Sequence, residues 1–374
     1  MDNSSINRTA PVPVWITYEK TMLAWTVVMV MLGIVSALLS ISLILSILLR
    51  RHVLAGSQCL VVHLLFIELL VGGGVVPALA LSTAVPSLRP SSASCALFYL
   101  AVSWIVQAEH WSALCLSINR LTAILLPHHY PAWTSRPAIF IMTTLSWLIP
   151  LTTTLPQMLG VVGRFDALPP WQSCGVVMAV GPQRPTQVFL LALGSYFPMA
   201  GTFANYLVIF LTLQMWRVRR QTDGKEGGRS ARVLEKSRKR LRMAKMLFAS
   251  SLWFMICYLP FTITLVYFSR LYVAMPAMHL WMRMLYYAGL TGSPVIFLLL
   301  SRDYRLRVRL LMVQLLRMWQ LKRLFKSDIV PLSNLSSGNG TTRPAPGGGS
   351  LRPAEDASSH PYPVPRICIS HPVI

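Results

Sequence analysis

Residues 23–49 read LAWTVVMVMLGIVSALLSISLILSILL, a run that contains no charged side chain. A helix needs about 20 mostly apolar residues to cross the hydrocarbon core of a bilayer, so this run is long enough to span one. The composition agrees, because 54% of the 374 residues are hydrophobic and only 12% are charged. Soluble domains carry roughly 25% charged residues. We therefore predict an integral membrane protein.

Seven runs of this kind predict an all-α membrane protein, a bundle of seven transmembrane helices. They cover residues 23–49, 59–84, 95–126, 138–162, 186–216, 243–268 and 278–300. Membrane β-strands would instead appear as ~10-residue alternating segments. Prolines inside the runs predict kinks, because neighbouring helices, polar side chains or waters satisfy the carbonyl groups that proline frees; they are Pro77, Pro150, Pro156, Pro198, Pro260 and Pro294. The seventh run is the least regular, since Arg283 interrupts its outer third.

The uneven distribution of Lys and Arg predicts the orientation, because cytoplasmic loops carry the excess. With the N-terminus outside, only 7 of the 34 Lys and Arg residues face outward, and most of the rest lie in 217–245 and 302–326. The net charge of +22 therefore indicates orientation and a cytosolic surface, and we do not expect nucleic acid as a partner.

Four regions follow from this topology. Residues 1–21 form an extracellular N-terminus in which Asn3 and Asn7 match the glycosylation pattern. Residues 22–302 form the bundle. Residues 303–326 mix leucines with arginines, which predicts an amphipathic helix on the anionic inner leaflet. Residues 327–374 are rich in Pro, Gly and Ser and predict a disordered cytoplasmic tail. The six cysteines lack metal-ligand spacing, so we predict no metal site of that kind.

Short motifs recur at defined places in the third, fifth, sixth and seventh runs. The third begins at Cys95 and ends at Asn119-Arg120-Leu121; the fifth has Phe197-Pro198 followed by Tyr206. The sixth carries Cys257-Tyr258-Leu259-Pro260, and the seventh carries Ser293-Pro294-Val-Ile-Phe297. In this order and spacing the chain resembles rhodopsin-like (class A) G-protein-coupled receptors over about residues 20–320. It departs from them at Glu68, where an aspartate is usual, and at Asn119-Arg120-Leu121, where the triplet Asp-Arg-Tyr is usual. The Asn-Arg pair at this place is similar to that of the melatonin group, the insect moody/trapped-in-endoderm group and nematode chemoreceptors.

The resemblance implies roles for individual residues. Cys95 and Cys174, both on the oxidising side, would form the disulfide that ties the second outer loop to the third span. The G protein would meet Asn119, Arg120, Leu121, Tyr206 and Arg240. The activation switch would comprise Tyr258, Pro260, Ser293, Pro294 and Phe297.

Arg120 lacks the acidic neighbours that often hold this arginine in resting receptors. Asn119 precedes it, and the base of the sixth span reads Arg238-Lys239-Arg240. We therefore hypothesise raised basal signalling; the alternative is that other packing holds the receptor inactive.

Glu68 and Glu109 are the acids deep in the predicted membrane, and we expect His63 and His110, which are close in sequence, to add titratable partners. Two neighbouring carboxylates do not both ionise cheaply, so we expect them to share a proton or bind a sodium ion. The alternative is two protonated, hydrogen-bonded glutamic acids. We expect no other cofactor.

The ligand cavity is expected among the outer halves of spans three, five, six and seven. Val102 stands where amine receptors that this chain resembles carry an aspartate, so we do not expect a monoamine ligand. Arg283 would pair with a ligand carboxylate or phosphate, or else reach the lipid headgroups. The predicted lining is Val102, Gln107, Tyr258, Phe261, Tyr267, Arg283, Tyr286 and Tyr287.

These observations favour a multi-pass plasma-membrane receptor, not an enzyme, that binds an extracellular ligand and activates a heterotrimeric G protein by outward movement of span six. One alternative is a transporter or proton-linked channel that uses Glu68 and Glu109, although the sequence contains no internal repeat. Another is an intramembrane hydrolase that uses these acids with His63 and His110, although no metal-binding pair is present.

Overall fold

The computed structural model describes residues 17–49, 56–223, 231–268 and 274–327. Within them, five helices are long and apolar enough to cross a membrane individually, and a bent pair of helices supplies a sixth crossing. Span three has the required length and runs through the middle of the bundle, but it carries Gln107, Glu109 and His110 at its centre. The predicted bundle of seven transmembrane helices is confirmed.

Spans one and two pack closely together. Span one is the helix Glu19–Leu48, and span two consists of the helix Gly56–Leu70, the π-helical turn Val71–Val75 and the helix Val76–Ala84. The π turn precedes Pro77, whose ring has no N–H and disfavours the preceding helical turn. The kink predicted at this proline is thus a π turn that leaves the span continuous.

Spans three and four form the centre of the bundle. Span three is Ser92–Leu125 and packs against spans two, four and five, while span four is Arg136–Met158. Pro150 and Pro156 lie inside span four without ending it. The short helix Tyr130–Trp133 connects the two spans.

A β-hairpin follows span four and lies against span three. Strand β1, Arg164–Leu168, pairs antiparallel with strand β2, Ser173–Val177. A disulfide joins Cys174 of β2 to Cys95 near the start of span three. We call this side of the bundle the hairpin end and the opposite side the Arg120 end.

Span five begins with the helix Arg184–Leu191, passes through the π-helical turn Ala192–Tyr196 and continues as Phe197–Asp223. Like the first, this π turn ends two residues before a proline, Pro198. Span six is the helix Ala231–Tyr267, which contains Pro260 and packs against spans five and seven.

Span seven bends next to Pro294, where the sequence predicts a kink, and the bend divides the span into two helices. It comprises Pro276–Leu290 and Ser293–Leu300, bent by 52° at the break. The break lies at Thr291-Gly292 and not at Arg283, because Pro294 supplies no N–H to the Leu290 carbonyl and its ring clashes with it. Pro276–Leu290 also packs against span one, which brings the last span next to the first.

The helix Arg302–Ser327 follows span seven and agrees in extent with the predicted surface helix. Tyr304 stacks on Phe297 with ring centroids 6.2 Å apart, and Leu311 is buried. Other apolar side chains of this helix are exposed, among them Leu306, Leu310, Met312, Val313, Leu316 and Met318. Such a face is suited to contact with a membrane surface.

The chain divides into two compact units, Met1–Met318 and Trp319–Ile374. The first contains the bundle, with one buried cluster around Trp25 and Trp171 and another around Leu43 and Leu116. The described part of the second is the end of the helix that finishes at Ser327. Asn3, Asn7 and the predicted tail from residue 328 lie outside the described residues.

Candidate functional sites

A cavity of about 140 Å³ lies at the hairpin end of the bundle, between spans three, five, six and seven. It brings together most of the predicted ligand-binding residues, namely Val102, Gln107, Tyr258, Phe261, Arg283, Tyr286 and Tyr287. The remaining predicted residue is Tyr267, whose side chain lies outside the described part of the chain. The cavity is therefore aromatic, as expected.

Arg283 occupies this cavity and does not extend to the lipid headgroups. Its side chain is 6% exposed, and it donates hydrogen bonds to Ser173 Oγ at 3.1 Å and to the Cys174 carbonyl oxygen at 3.4 Å. Both acceptors belong to strand β2. The headgroup alternative is wrong, because the hairpin folds over this part of span seven and separates the guanidinium from the surface.

Two predicted lining residues make contacts that limit their freedom. Gln107 is buried, and its Oε1 accepts a hydrogen bond from Thr153 Oγ1 at 2.6 Å, which ties span three to span four. Tyr258 lies between Tyr286 and His110, with ring centroids 5.2 and 5.4 Å away. Tyr258 is thus in contact with both the hairpin-end cavity and the residues below it.

A second cavity, of about 60 Å³, lies deeper in the bundle and contains both predicted acids. We call it the acid cavity. Glu68 is fully buried and Glu109 nearly so. Within the described part of the chain, three carboxyl oxygens lack a hydrogen-bond partner: both oxygens of Glu68 and Oε2 of Glu109. His110, Ser250 and Ser293 also line this cavity, and Ser250 Oγ donates to Ser293 Oγ at 3.2 Å.

His63 does not join these acids, contrary to the expectation that it would be a titratable partner. Its Nε2 accepts a hydrogen bond from Trp147 Nε1 at 2.9 Å, and its Nδ1 lies 3.0 Å from Ser112 Oγ. His63 thus faces spans three and four, away from the acid cavity. No group of three or more His, Cys, Asp or Glu among the described residues is arranged to hold a metal ion.

At the opposite end, Arg120 makes no ion pair with a described residue, and its buried Nε has no hydrogen-bond partner among them. Asn119 points to the connecting helix, where its Nδ2 donates to the Trp133 carbonyl oxygen at 3.3 Å. Tyr206 is buried, and Leu121 packs against the cluster around Leu116. Arg240 lies on span six, but its side chain is outside the described residues.

Several lining residues were not predicted, among them Tyr99, Ser103, Ser195 and Tyr196 in the hairpin-end cavity and Ser250 and Ser251 in the acid cavity. Tyr99 stands one helical turn before Val102 and Ser103 one turn before Gln107, both of them predicted lining residues, so 3.6-residue periodicity could have identified them. Ser195 and Tyr196 lie in the π turn of span five, where that periodicity fails.

Comparison with known proteins identifies the family. A family model described as 7 transmembrane receptor (rhodopsin family) matches residues 40–297. The match covers more than half of the chain, so the chain belongs to the rhodopsin family of seven-transmembrane receptors. The predicted resemblance is confirmed.

Individual relatives are distant. Neuromedin-U receptor 1 of Mus musculus is 24% identical over 237 residues, which cover 57% of this chain and 55% of that protein. The chain therefore spans about half the length of this curated relative. Squid rhodopsin, from a crystal structure, matches with a TM-score of 0.66 and 15% identity, over 82% of this chain and 87% of that chain. The rhodopsin match shows the fold.

Proposed function

We propose that this chain is a plasma-membrane receptor that binds an extracellular ligand in the hairpin-end cavity and activates a heterotrimeric G protein at the Arg120 end. The observation that carries the proposal is the position of these two features at opposite ends of span three in a member of the rhodopsin family. In this orientation the N-terminus is extracellular and the C-terminus is cytoplasmic, which agrees with the excess of Lys and Arg in 217–245 and 302–326.

Tyr258 supplies the route from one end to the other. It lines the hairpin-end cavity and contacts His110, which lines the acid cavity. It also lies two residues before Pro260 in span six, where proline weakens the helical hydrogen bonding. A ligand that displaces Tyr258 would favour an outward movement of span six, provided that it binds the moved state more tightly.

A screen for G-protein activation tests this proposal. Cells that express the receptor with a panel of Gα subtypes would be assayed for guanine-nucleotide exchange, with and without lipid, peptide and small-anion libraries. Exchange should exceed that of empty cells and fall to that level for Arg120→Ala. Arg136→Ala is the control, because Arg136 is exposed at the same end and lies outside the proposed coupling residues. Equal exchange with Arg120→Ala and the unmodified receptor would contradict the proposal.

We also propose that Glu68 and Glu109 hold one proton or one sodium ion between them. The support is that two buried carboxyl groups line one cavity and that three of their oxygens have no hydrogen-bond partner within the described residues. Carboxylate and hydroxyl oxygens are suitable ligands for a hard cation, and Ser250 and Ser293 add hydroxyls to the same cavity. A bound sodium ion would balance one ionised carboxylate, and the other carboxyl group would keep its proton. Through Tyr258 and His110, its loss would be coupled to the hairpin-end cavity.

The ligand is not expected to be a monoamine. The hairpin-end cavity contains Val102 in the position where amine receptors carry an acid, and its lining among the described residues includes no carboxylate. A buried ammonium group without a counter-charge would be unfavourable there.

A further inference from the structure

The charge of the hairpin-end cavity comes from one side chain. Arg283 is the charged residue among the described residues that line this cavity, and it is 6% exposed. It forms no ion pair with a described residue. A guanidinium removed from water without a counter-ion is unfavourable, even when some of its N–H groups are hydrogen-bonded. An anion from outside the chain would remove this cost.

The hairpin holds the guanidinium in place. Arg283 has five N–H donors in a planar fork. Two nitrogens are bonded to Ser173 Oγ and to the Cys174 carbonyl oxygen, and the Cys95–Cys174 disulfide fixes that strand to span three. The fork is therefore oriented before any ligand arrives, which lowers the entropy lost on binding.

We propose that the ligand of this receptor is a monocarboxylate with an aromatic or apolar body, whose carboxylate binds Arg283. This inference rests on the function proposed above. Arginine forms paired, charge-assisted hydrogen bonds with a carboxylate, and one guanidinium balances one negative charge. A phosphate monoester carries about −1.5 to −2 at neutral pH and would remain undercompensated here.

The remaining lining determines the rest of the ligand. Five tyrosines surround the cavity, namely Tyr99, Tyr196, Tyr258, Tyr286 and Tyr287. Their rings favour an aromatic or aliphatic group, and their hydroxyls accommodate a few polar atoms. A volume of about 140 Å³ suits a small acid or the last residue of a peptide. Both sources share the same chemistry, a single carboxylate next to an apolar group.

Thermal unfolding of the purified full-length receptor in detergent distinguishes these sources. The probes are 3-phenylpropanoate for a small acid and N-acetylglycylphenylalanine for a peptide C-terminus, each compared with its own amide at constant ionic strength. We expect at least one acid to raise the unfolding temperature in proportion to its concentration, whereas the amides do not. Binding should be about 10- to 100-fold weaker with Arg283→Gln, because one charge-assisted interaction is lost.

Matched variants keep the result interpretable. Arg184→Gln removes the same charge from an exposed position near the hairpin end and should retain the response. Arg283→Lys keeps the charge without the fork and should retain part of it. If Arg283→Gln does not fold, Ser173→Ala provides the second test, since it removes one hydrogen bond that orients the guanidinium and should weaken acid binding.

Three results would overturn the inference. The first is an amide that stabilises as well as its acid, and the second is no stabilisation by either acid. The third is acid binding that is unchanged in a folded Arg283→Gln variant or, if that variant does not fold, in both Arg283→Lys and Ser173→Ala. None of them would affect the G-protein proposal, which is tested by nucleotide exchange and Arg120→Ala. Conversely, acid binding without nucleotide exchange would contradict the signalling function and leave this site intact.

Discussion

Trp147 Nε1 donates a hydrogen bond to His63 Nε2 over 2.9 Å, across the contact between spans four and two. An indole N–H can only donate, so His63 Nε2 carries no proton and Nδ1 is the protonated nitrogen, able to donate to Ser112 Oγ at 3.0 Å. This contact assigns His63 a neutral, structural role and explains its separation from the acid cavity.

Replacing His63 should therefore lower the free energy of unfolding, by an amount that depends on whether the new side chain can still accept the Trp147 N–H hydrogen bond. We expect His63→Leu to lower the free energy of unfolding by about 1–3 kcal/mol, because the Trp147 N–H is left without its acceptor. His63→Asn should cost less, since its side chain offers both an acceptor and a donor. Thermal unfolding in detergent measures both. A His63→Leu receptor as stable as the unmodified one would rule out this role.

Gly33 allows spans one and two to approach each other. A Cβ at this position would lie 2.5 Å from the Gly72 carbonyl oxygen and 3.2 Å from the Pro77 ring. Small residues at such contacts let membrane helices pack closely. We expect Gly33→Ala to destabilise the receptor by about 1–3 kcal/mol through overpacking. Gly74→Ala is the matched control, because a Cβ at Gly74 would meet no atom within 4 Å. Equal unfolding temperatures for the two variants would show that this contact is not tight.

Most of the bundle could be predicted from hydropathy alone. Each predicted span begins and ends within a few residues of the observed helix, with two exceptions. The helix of span five continues to Asp223, and the helix of span six already begins at Ala231. These two extensions are rich in Arg, Lys and other polar residues. A search for apolar runs therefore stops short of them.

Other features depend on contacts that sequence periodicity does not encode. The π turns at Val71–Val75 and Ala192–Tyr196 add a residue to one helical turn and change which side chains face inward beyond it. Periodicity does not identify Ser195 for this reason. The environment of Arg283 depends on a hairpin more than 100 positions earlier in the chain, so its burial could not be derived from span seven. Glu68 and Glu109 line one cavity as predicted, because the family motifs fix the register of spans two and three.

The shared site at Glu68 and Glu109 predicts a dependence of signalling on sodium or pH. Glu68→Gln removes a carboxylate from the acid cavity, so the two groups no longer compete for one proton or cation. We expect basal nucleotide exchange to lose its response both to replacement of sodium by choline and to pH. Glu19→Gln is the control, because Glu19 lies at the first turn of span one and outside the cavity. If Glu68→Gln retains both responses, the two acids are simply protonated and the proposal is wrong.

The missing acidic neighbour of Arg120 predicts raised basal signalling. Asn119 donates to the Trp133 carbonyl oxygen and supplies no negative charge. We expect Asn119→Asp to lower basal nucleotide exchange at equal surface expression, because an adjacent carboxylate would stabilise Arg120 in the resting state. Asn119→Ser changes the same hydrogen bond without adding charge and serves as the control. A decrease with Asn119→Ser as large as that with Asn119→Asp would attribute the effect to the lost contact with Trp133.

The ligand and G-protein proposals both require that the two ends of the bundle face opposite sides of the plasma membrane. Epitope tags at the N-terminus and the C-terminus, stained in intact and in permeabilised cells, test this requirement most directly. We expect the N-terminal tag to be stained in intact cells and the C-terminal tag only after permeabilisation. Staining of both tags in intact cells, or of neither, would contradict an odd number of crossings and the function that depends on it.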